Sequence, residues 1–318
     1  MNQLAVPILA VEQYILERAV LGGLEHAERG TPLKESVVTR QISRAIAKEL
    51  LGRVASAARV FCFLDYDGTL ADLAPAPHQA VALPGTSVLI RQLATAPGTQ
   101  VALVTGRVVD DLRRFLDIPQ IYYVGVHGAE IRFPDGAVQL AEGIDSVRAA
   151  LEGIKQQLQD ALATRPGILI EDKGVALSVH YRRAARADAG IARRFVAAQA
   201  RDLQRRGVPI TLVHGHQVAE IRPVQVNKGR AVCTILATAG DDALPIYIGD
   251  DQTDEDAFAA LPDESITIRV ARSRSSTHAA YRVCDPRDVH QFLQGVLAAR
   301  TRTASAAASA AAQPEQST

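Results

Sequence analysis

Four short apolar runs recur along the chain from about residue 60 onward. They are RVFCFL, TQVALV, QIYYVGV and LPIYIG, and they are rich in β-branched and aromatic residues. Amphipathic stretches such as LPGTSVLIRQLATA and NKGRAVCTILATAG separate them. Because continuous apolar strands are buried on both faces, this alternation predicts parallel strands covered by helices. The predicted core is α/β, doubly wound, mostly parallel and Rossmann-like.

A different pattern between residues 144 and 223 predicts an inserted α+β domain. DSVRAALEGIKQQLQDAL and ADAGIARRFVAAQARDLQRR have helical spacing, and each is followed by two strand-like runs, in GILIEDKGVALSVHY and PITLVHGHQVAEIRP. The order helix, strand, strand therefore occurs twice. Such a unit can bury one face of its own sheet and form a small cap domain. Residues 58–143 and 224–300 then make up the core.

The two ends of the chain have patterns of their own. Residues 1–57 carry apolar residues at three and four spacing, interrupted by ERGTPLKES, which predicts a helical N-terminal extension. Residues 301–318 are rich in Ala and Ser and are predicted to be disordered. The first 22 residues lack a basic region and contain Glu12 and Glu17. We therefore expect no signal peptide or membrane span, and a cytoplasmic location.

The amino-acid composition limits the kinds of molecule that the protein is expected to bind. The chain has 318 residues, of which 47% are hydrophobic, enough to fill the cores of two domains. Lys+Arg and Asp+Glu both number 35, so no net field favours nucleic acid or an anionic membrane. The 3 cysteines have no metal-ligand spacing and suit a reducing compartment. We expect a small-molecule substrate, and no feature indicates an oligomeric state.

Polar clusters follow three of the predicted strands. The carboxyl ends of parallel strands meet at one edge of a sheet, where ligands bind. If the strands are neighbours, several carboxylates converge there and repel one another unless a hard cation lies between them. Oxygen ligands without His or Cys favour magnesium over zinc. The clustered residues are Asp65 and Asp67; Thr105, Gly106 and Arg107; and Asp250, Asp251 and Asp254.

Each motif alone has an ordinary structural explanation. DYDGT could be a turn, although a calcium-binding loop of the helix-loop-helix type would need a preceding helix, and this stretch follows a strand. QTDED suits a helix N-terminus. Lys228, in VNKGR, would in isolation be a solvated surface lysine. The motifs become specific only in combination.

In combination, LDYDGTL, VTGR, the lysine of NKG and IGDDQTDEDAF resemble the haloacid dehalogenase-like phosphatases over residues 58–297. The resemblance implies that Asp65 is the nucleophile and that Asp67 transfers protons. It also implies Mg²⁺ bound by Asp65, the backbone carbonyl of Asp67 and Asp250, and it leaves Asp251 and Asp254 as alternative further ligands. Phosphoryl oxygens would be held by Thr105 and Lys228, with Gly68, Gly106 and Arg107 assigned to substrate binding.

A further set of motifs narrows the resemblance. YVGVHGAEI, EDKGVALSVHYR, EIRPVQVNKG and GDDQTDEDAF are similar to those of trehalose-6-phosphate phosphatases. This implies that the substrate is trehalose 6-phosphate, a disaccharide with many hydroxyls that requires charged donors and acceptors. In the alternative, Glu171 with Lys173 and Glu220 with Arg222 are only surface pairs. The sugar-binding candidates are His127 in the core and Glu171, Lys173, His180, Arg182, Glu220 and Arg222 in the cap.

Three alternative functions stay open at this level. The first is a phosphatase with the same cap class that acts on sucrose phosphate, a glycosylglycerate phosphate or several hexose phosphates. The second is a phosphosugar mutase, which also uses an Asp-x-Asp-Gly-Thr loop. The third is a non-enzymatic sensor of trehalose phosphate, which would not need Asp65, Asp67, Lys228 and Asp250 together.

Overall fold

A computed structural model describes residues 39–311, except 75–78, 216, 241 and 274–275. Its strands, in chain order, are β1 (Arg40–Gln41), β2 (Arg59–Leu64), β3 (Thr99–Val104), β4 (Tyr122–Gly125), β5 (Glu130–Arg132), β6 (Val138–Leu140), β7 (Leu169–Asp172), β8 (Leu177–His180), β9 (Ile210–Gly215), β10 (Val218–Pro223), β11 (Ala243–Gly249), β12 (Ile266–Val270) and β13 (Tyr281–Val283).

The helices of the described chain are α1 (Arg44–Ser56), α2 (Thr86–Thr95), α3 (Val109–Phe115), α4 (Ile144–Leu162), α5 (Arg186–Arg205), α6 (Lys228–Ala239), α7 (Glu255–Ala260) and α8 (Pro286–Ala311). Short 3₁₀ turns occur at Val126–Gly128 and Gln252–Asp254. Within this part of the chain, no helix is both long enough and apolar enough to cross a membrane.

The larger sheet has the strand order β1-β13-β12-β11-β2-β3-β4-β5-β6. Neighbours from β1 to β4 in this order are parallel, and β5 and β6 extend one edge in antiparallel pairing. After β2 the chain builds outward through β3 and β4, and it later returns to place β11 on the other side of β2. The direction of winding therefore reverses at β2, and ligands bind at such a point.

Strand β2 shows why this sheet is covered on both faces. Its residues are apolar after Arg59, and side chains alternate between faces. Cys62 and Leu64 pack in a cluster with residues of α1, α2, α3 and α8. Phe61 and Phe63 pack on the opposite face with residues of α6 and α7. The predicted doubly wound, mostly parallel core is confirmed.

The smaller sheet is antiparallel, in the order β7-β8-β10-β9. Leu177 and Val179 of β8, with Ala219 and Ile221 of β10, pack against apolar residues of α4 and α5. The other face of the sheet therefore presents the alternate residues of the same strands. This architecture confirms the predicted cap of two helix-strand-strand units, which runs from α4 through β10.

Both ends of the described chain differ from the sequence-based expectation. Arg40 and Gln41 form a strand beside β13, within a segment predicted to be helical. Helix α8 continues to Ala311, so residues 301–311 are helical where disorder was predicted. Ala is a strong helix former, and Arg300 anchors α8 by donating to the carbonyl oxygens of Val54, Ala57, Ala58 and Pro97. Residues 1–38 and 312–318 lie outside the described residues.

Candidate active site

The three polar clusters meet at the carboxyl ends of adjacent strands. Leu64, the last residue of β2, pairs with Ile248 of β11 and with Leu103 of β3. The backbone N–H of Asp65 continues the ladder by donating to the Ile248 carbonyl at 3.0 Å. The sheet register therefore brings the loops after β2, β3 and β11 to one place, as the order of strands and motifs suggested.

Lys228 links two of these loops. It is the first residue of α6, whose N-terminus is capped by the Asn227 side chain. Its Nζ donates to Asp65 Oδ1 at 2.7 Å and to Asp254 Oδ1 at 2.8 Å. The lysine is only 2% exposed. Although burial opposes its charge, the carboxylates of Asp254 and Asp65 raise the pKa of Lys228, so it is a fixed cation in the site.

Three carboxylates form a compact cluster beside this lysine. Asp65, Asp250 and Asp254 each have an oxygen within 4.8 Å of the others. Burial raises the pKa of Asp65 and of Asp250, and the charges of neighbouring aspartates add to the shift. One lysine therefore does not neutralise the cluster. An all-oxygen donor set with excess negative charge fits a hard divalent cation.

Gly68 allows this close approach. Its φ is +82°, and a Cβ atom at this position would lie 2.1 Å from Asp250 Oδ2. Any side chain would therefore displace Asp250 as well as strain the backbone. Gly68 thus leaves room for Asp250 in the carboxylate cluster. It does not line the cleft between this cluster and the cap.

The structure distinguishes Asp254 from Asp251. Asp254 is fully buried, and it accepts bonds from Lys228, from the Tyr247 hydroxyl at 2.7 Å and from the Asp251 N–H at 2.9 Å. Asp251 caps the 3₁₀ turn and lines the cleft outside the cluster. Asp254, and not Asp251, is therefore a member of the carboxylate cluster with Asp65 and Asp250.

Asp67 is held by Arg107 from the loop after β3. Arg107 Nε and Nη2 donate to the two carboxylate oxygens of Asp67 at 2.7 and 2.5 Å. The guanidinium also lies over the rings of Tyr66 and Phe115. A bidentate bond fixes both the position and the plane of the Asp67 carboxylate.

The loop after β3 packs tightly against His127. Thr105 is 1% exposed, its hydroxyl accepts from the Arg107 N–H, and it does not line the cleft. Gly106 lies against the His127 ring, which would be 2.4 Å from a Cβ atom at that position. His127 has a φ of 57°, a strained value for a non-glycine residue. Burial lowers the pKa of His127 well below its ordinary value, so the ring is neutral.

On the cap, Glu220 lies opposite His127. The Lys173 Nζ and the Ser178 hydroxyl both donate to Glu220 Oε2, at 2.7 and 2.6 Å. His127 Nε2 lies 3.4 Å from Glu220 Oε1. Burial raises the pKa of Glu220, but the charge of Lys173 and the two hydrogen bonds outweigh it and hold the pKa well below its ordinary value. Glu220 is therefore a buried carboxylate that stays ionised.

The other cap candidates take different positions. Glu171 Oε2 lies 2.7 Å from His180 Nε2, and both side chains are about a quarter exposed. Arg182 donates to the Ala74 carbonyl at 2.7 Å, which joins the cap to the core. Arg222 does not line the cleft, and its assignment to sugar binding stays a prediction. Its Nη2 lies 3.8 Å from Asp256 Oδ2 of α7, where the cap chain returns to the core.

A cavity of about 470 Å³ connects the carboxylate cluster with the cap face. This volume suits a small-molecule ligand. Besides the candidates already described, it is lined by residues that the sequence reasoning missed, among them Leu73, Ile168, Leu169, Ser178, Arg183 and Gln217. Ser178 had a signal, because it lies two residues before His180 and therefore on the same face of β8. Tyr247, which holds Asp254, had no comparable signal within its apolar strand.

Solved structures share this architecture. The C-terminal domain of C. albicans trehalose-6-phosphate phosphatase superposes with a TM-score of 0.72 at 21% identity, over 82% of this chain and 99% of that chain, a likeness of fold. Aspergillus fumigatus trehalose-6-phosphate phosphatase gives 0.59 at 26% identity, over 82% and 99%. A doubly wound core, an acidic cluster at its switch point and an inserted cap define the haloacid dehalogenase-like phosphatase class.

Sequence comparisons identify the family within that class. The family model described as Trehalose-phosphatase matches residues 63–287. Trehalose-phosphate phosphatase of Mycobacterium marinum is 33% identical over 249 residues, which are 76% of this chain and 62% of that protein. Trehalose-phosphate phosphatase B of Arabidopsis thaliana is 30% identical over 264 residues, which are 78% of this chain and 69% of that protein. The chain belongs to the trehalose-phosphatase family.

Proposed function

We propose that this chain is a magnesium-dependent phosphatase that hydrolyses trehalose 6-phosphate to trehalose and inorganic phosphate. Family membership supports the reaction. The observation that carries the proposal is that one cleft joins the Asp65, Lys228 and Asp250 site to a cap face with Glu171, Lys173 and Glu220. The first set suits phosphoryl transfer, and the second suits an uncharged sugar with many hydroxyls.

In the first half-reaction, an Asp65 carboxylate oxygen attacks phosphorus in line with the sugar oxygen. An O–P bond to Asp65 forms as the bond from phosphorus to the sugar breaks. Asp67, in its protonated form, gives its proton to the departing sugar oxygen, which leaves as a hydroxyl. The product is trehalose, and the phosphoryl group remains on Asp65 as an aspartyl phosphate.

In the second half-reaction, water attacks the phosphorus of the aspartyl phosphate. Asp67, now ionised, takes a proton from this water and recovers its starting state. The bond between Asp65 and phosphorus breaks, which releases inorganic phosphate and the free carboxylate. Arg107 keeps the Asp67 carboxylate in one orientation, so that the same group can act in both steps. Lys228 offers positive charge to the phosphoryl oxygens from beside Asp65.

Asp65, Asp250 and Asp254 would hold the magnesium ion together with the Asp67 backbone carbonyl. When bound, Mg²⁺ would neutralise charge on the phosphoryl oxygens and let an anionic nucleophile approach an anionic ester. Tyr247 and Lys228 both donate to Asp254 Oδ1 and hold the carboxylate in place, so that this ligand needs little rearrangement before binding.

The activity is tested by phosphate release from a panel of phosphorylated sugars with and without magnesium. We expect trehalose 6-phosphate to be hydrolysed with the highest kcat/KM, and chelation by EDTA to abolish turnover until excess Mg²⁺ is added. The panel includes sucrose 6-phosphate, glucosylglycerate phosphate and hexose phosphates. Preference for one of these would replace the proposed substrate, whereas a requirement for a sugar bisphosphate activator would indicate a mutase.

The sugar-binding role of the cap is tested by Glu220→Ala and Lys173→Ala. Loss of a hydrogen bond to a charged group in a buried site should lower kcat/KM for trehalose 6-phosphate by about 10- to 100-fold. Hydrolysis of p-nitrophenyl phosphate should change little, because this ester is too short to need the cap contacts. Steady-state kinetics on both substrates make the comparison.

Matched controls for these variants lie outside the cleft. Lys155 and Glu152 of α4 are a lysine and a glutamate on the cap that do not line the cleft. Their alanine variants should retain wild-type kinetics on both substrates. If the Glu220 and Lys173 variants also hydrolyse trehalose 6-phosphate normally, the cap assignment is wrong. An equal loss on both substrates would point instead to a defect in folding or cap closure.

A further inference from the structure

Ser178 lies at the centre of the cap face that borders the cleft. It is on β8, in register with Glu171 of β7 on one side and with Glu220 of β10 on the other. The residue is fully buried and lines the cavity. Because adjacent strands are about 4.8 Å apart, the two glutamates are two strands, or about 10 Å, apart across this serine. A small residue here leaves the floor of the cleft open between two carboxylates.

The Ser178 hydroxyl makes a specific contact. It donates to Glu220 Oε2 at 2.6 Å, and the same oxygen accepts from Lys173 Nζ at 2.7 Å. The other oxygen, Oε1, is buried and has no hydrogen-bond partner among the described residues. His127 Nε2 lies 3.4 Å from this oxygen. Because a buried carboxylate oxygen without a hydrogen bond is unfavourable, Oε1 is ready to accept from a donor that arrives in the cleft.

Two donors on one oxygen restrict the carboxylate more than one does. The ammonium of Lys173 is carried on a flexible stem and can follow Glu220 if the carboxylate rotates. A single carbon atom separates the Ser178 hydroxyl from the backbone of β8, which lies between β7 and β10 in the cap sheet. The sheet therefore fixes the position of this hydroxyl. Rotation of the Glu220 carboxylate would break this short bond. The serine therefore fixes the plane of the carboxylate, with one oxygen held by Ser178 and Lys173 and the other 3.4 Å from His127 Nε2 at the boundary of cap and core.

Glu171 provides a contrast within the same sheet. It is also next to Ser178 in register, but its carboxylate contacts His180, and its side chain is 27% exposed, against 7% for Glu220. Ser178 donates to Glu220 and not to Glu171. The two carboxylates flanking the serine are thus unequal: one is buried and fixed, and the other is partly solvated.

We propose that Ser178 is a positioning residue for sugar recognition, which orients Glu220 so that Oε1 accepts a hydroxyl of the bound sugar. This inference rests on the proposed function. Ser178 itself need not touch the sugar. Its effect passes through Glu220, and this separates it from a residue that only fills space in the cap.

The experiment compares Ser178→Ala, which removes the hydroxyl, with Ser178→Thr, which keeps it. Each is measured on trehalose 6-phosphate and p-nitrophenyl phosphate, alone and in the Glu220→Ala background. We expect Ser178→Ala to lower kcat/KM for trehalose 6-phosphate by about tenfold relative to p-nitrophenyl phosphate, mainly through KM. Ser178→Thr should recover most of the loss. In the Glu220→Ala background, Ser178→Ala should produce no further loss.

A matched control is Ser146→Ala, which removes a serine hydroxyl from cap helix α4 outside the cleft. It should leave both activities unchanged. The proposal is overturned if Ser178→Ala behaves like wild type, if it harms both substrates equally, or if its effect persists without Glu220. If the wild-type enzyme prefers another sugar phosphate, the proposed function fails, and the same comparison on that preferred ester still decides the role of Ser178.

Discussion

Asp65→Asn should lower turnover on the order of 10,000-fold or more on every phosphate ester, without loss of the fold. An amide has nearly the shape of the carboxylate but cannot attack phosphorus. It also removes one negative charge from the proposed metal site. The fold should survive, because the asparagine side chain has nearly the same volume and keeps an oxygen that can accept from Lys228.

The measurement has two parts. Phosphate release reports turnover, and acid quenching during turnover should trap a phosphoenzyme in the wild type but not in Asp65→Asn. Circular dichroism and thermal unfolding check the fold. Asp72→Asn is the control, since Asp72 is an exposed aspartate of the same loop that does not line the cleft. Activity of Asp65→Asn within tenfold of wild type would contradict the nucleophile assignment.

Asp67→Asn should differ in kind from Asp65→Asn. The nucleophile is retained, but the proton transfer to the leaving group is lost, which should lower kcat on trehalose 6-phosphate by about 100-fold or more. The penalty in the first step should be smaller for p-nitrophenyl phosphate, whose phenolate leaves without a proton. The second step still lacks its base, so the phosphoenzyme should accumulate.

Stopped-flow kinetics can detect this difference. With p-nitrophenyl phosphate, Asp67→Asn should release a burst of nitrophenol close to one equivalent per enzyme, followed by slow turnover. Equal losses on the two substrates, with no burst, would count against the proton-transfer role. Arg107→Lys is a useful companion: it keeps the charge beside Asp67 but loses the bidentate geometry, and it should show a milder form of the same defect.

Several features of the site could be predicted because they depend on local sequence. A short continuous apolar run rich in aromatic and β-branched residues, such as RVFCFL, favours a strand buried on both faces, and the residues that follow such a strand lie at the edge of the sheet. Asp65 and Asp67 are placed by that rule alone. The helix-strand-strand order of the cap could likewise be predicted from the spacing of its apolar residues.

Other predicted features depended on the resemblance to a family. The substrate could not be derived from spacing, since the same core loops suit many phosphate esters. Glu171, Lys173 and Glu220 were selected by their motifs and by the chemistry of a sugar. The structure brings all three to one cleft, yet it pairs Glu220 with Lys173 rather than with Arg222. Strand alternation by itself does not reveal such cross-strand partners.

The sequence by itself determined the core strands β2, β3, β4 and β11, the helix-strand-strand order of the cap, the position of Asp65 and Asp67 after β2, and the polar character of the cap face, because these follow from local periodicity. Only the tertiary structure decided that Lys228 contacts Asp65, 163 positions away, that Asp254 rather than Asp251 joins Asp65 and Asp250 in the carboxylate cluster, and that Arg222 lies outside the cleft. The physical reason is the same in each case: these contacts depend on how loops from different strands and from the cap pack together, and no local pattern encodes the distance between them.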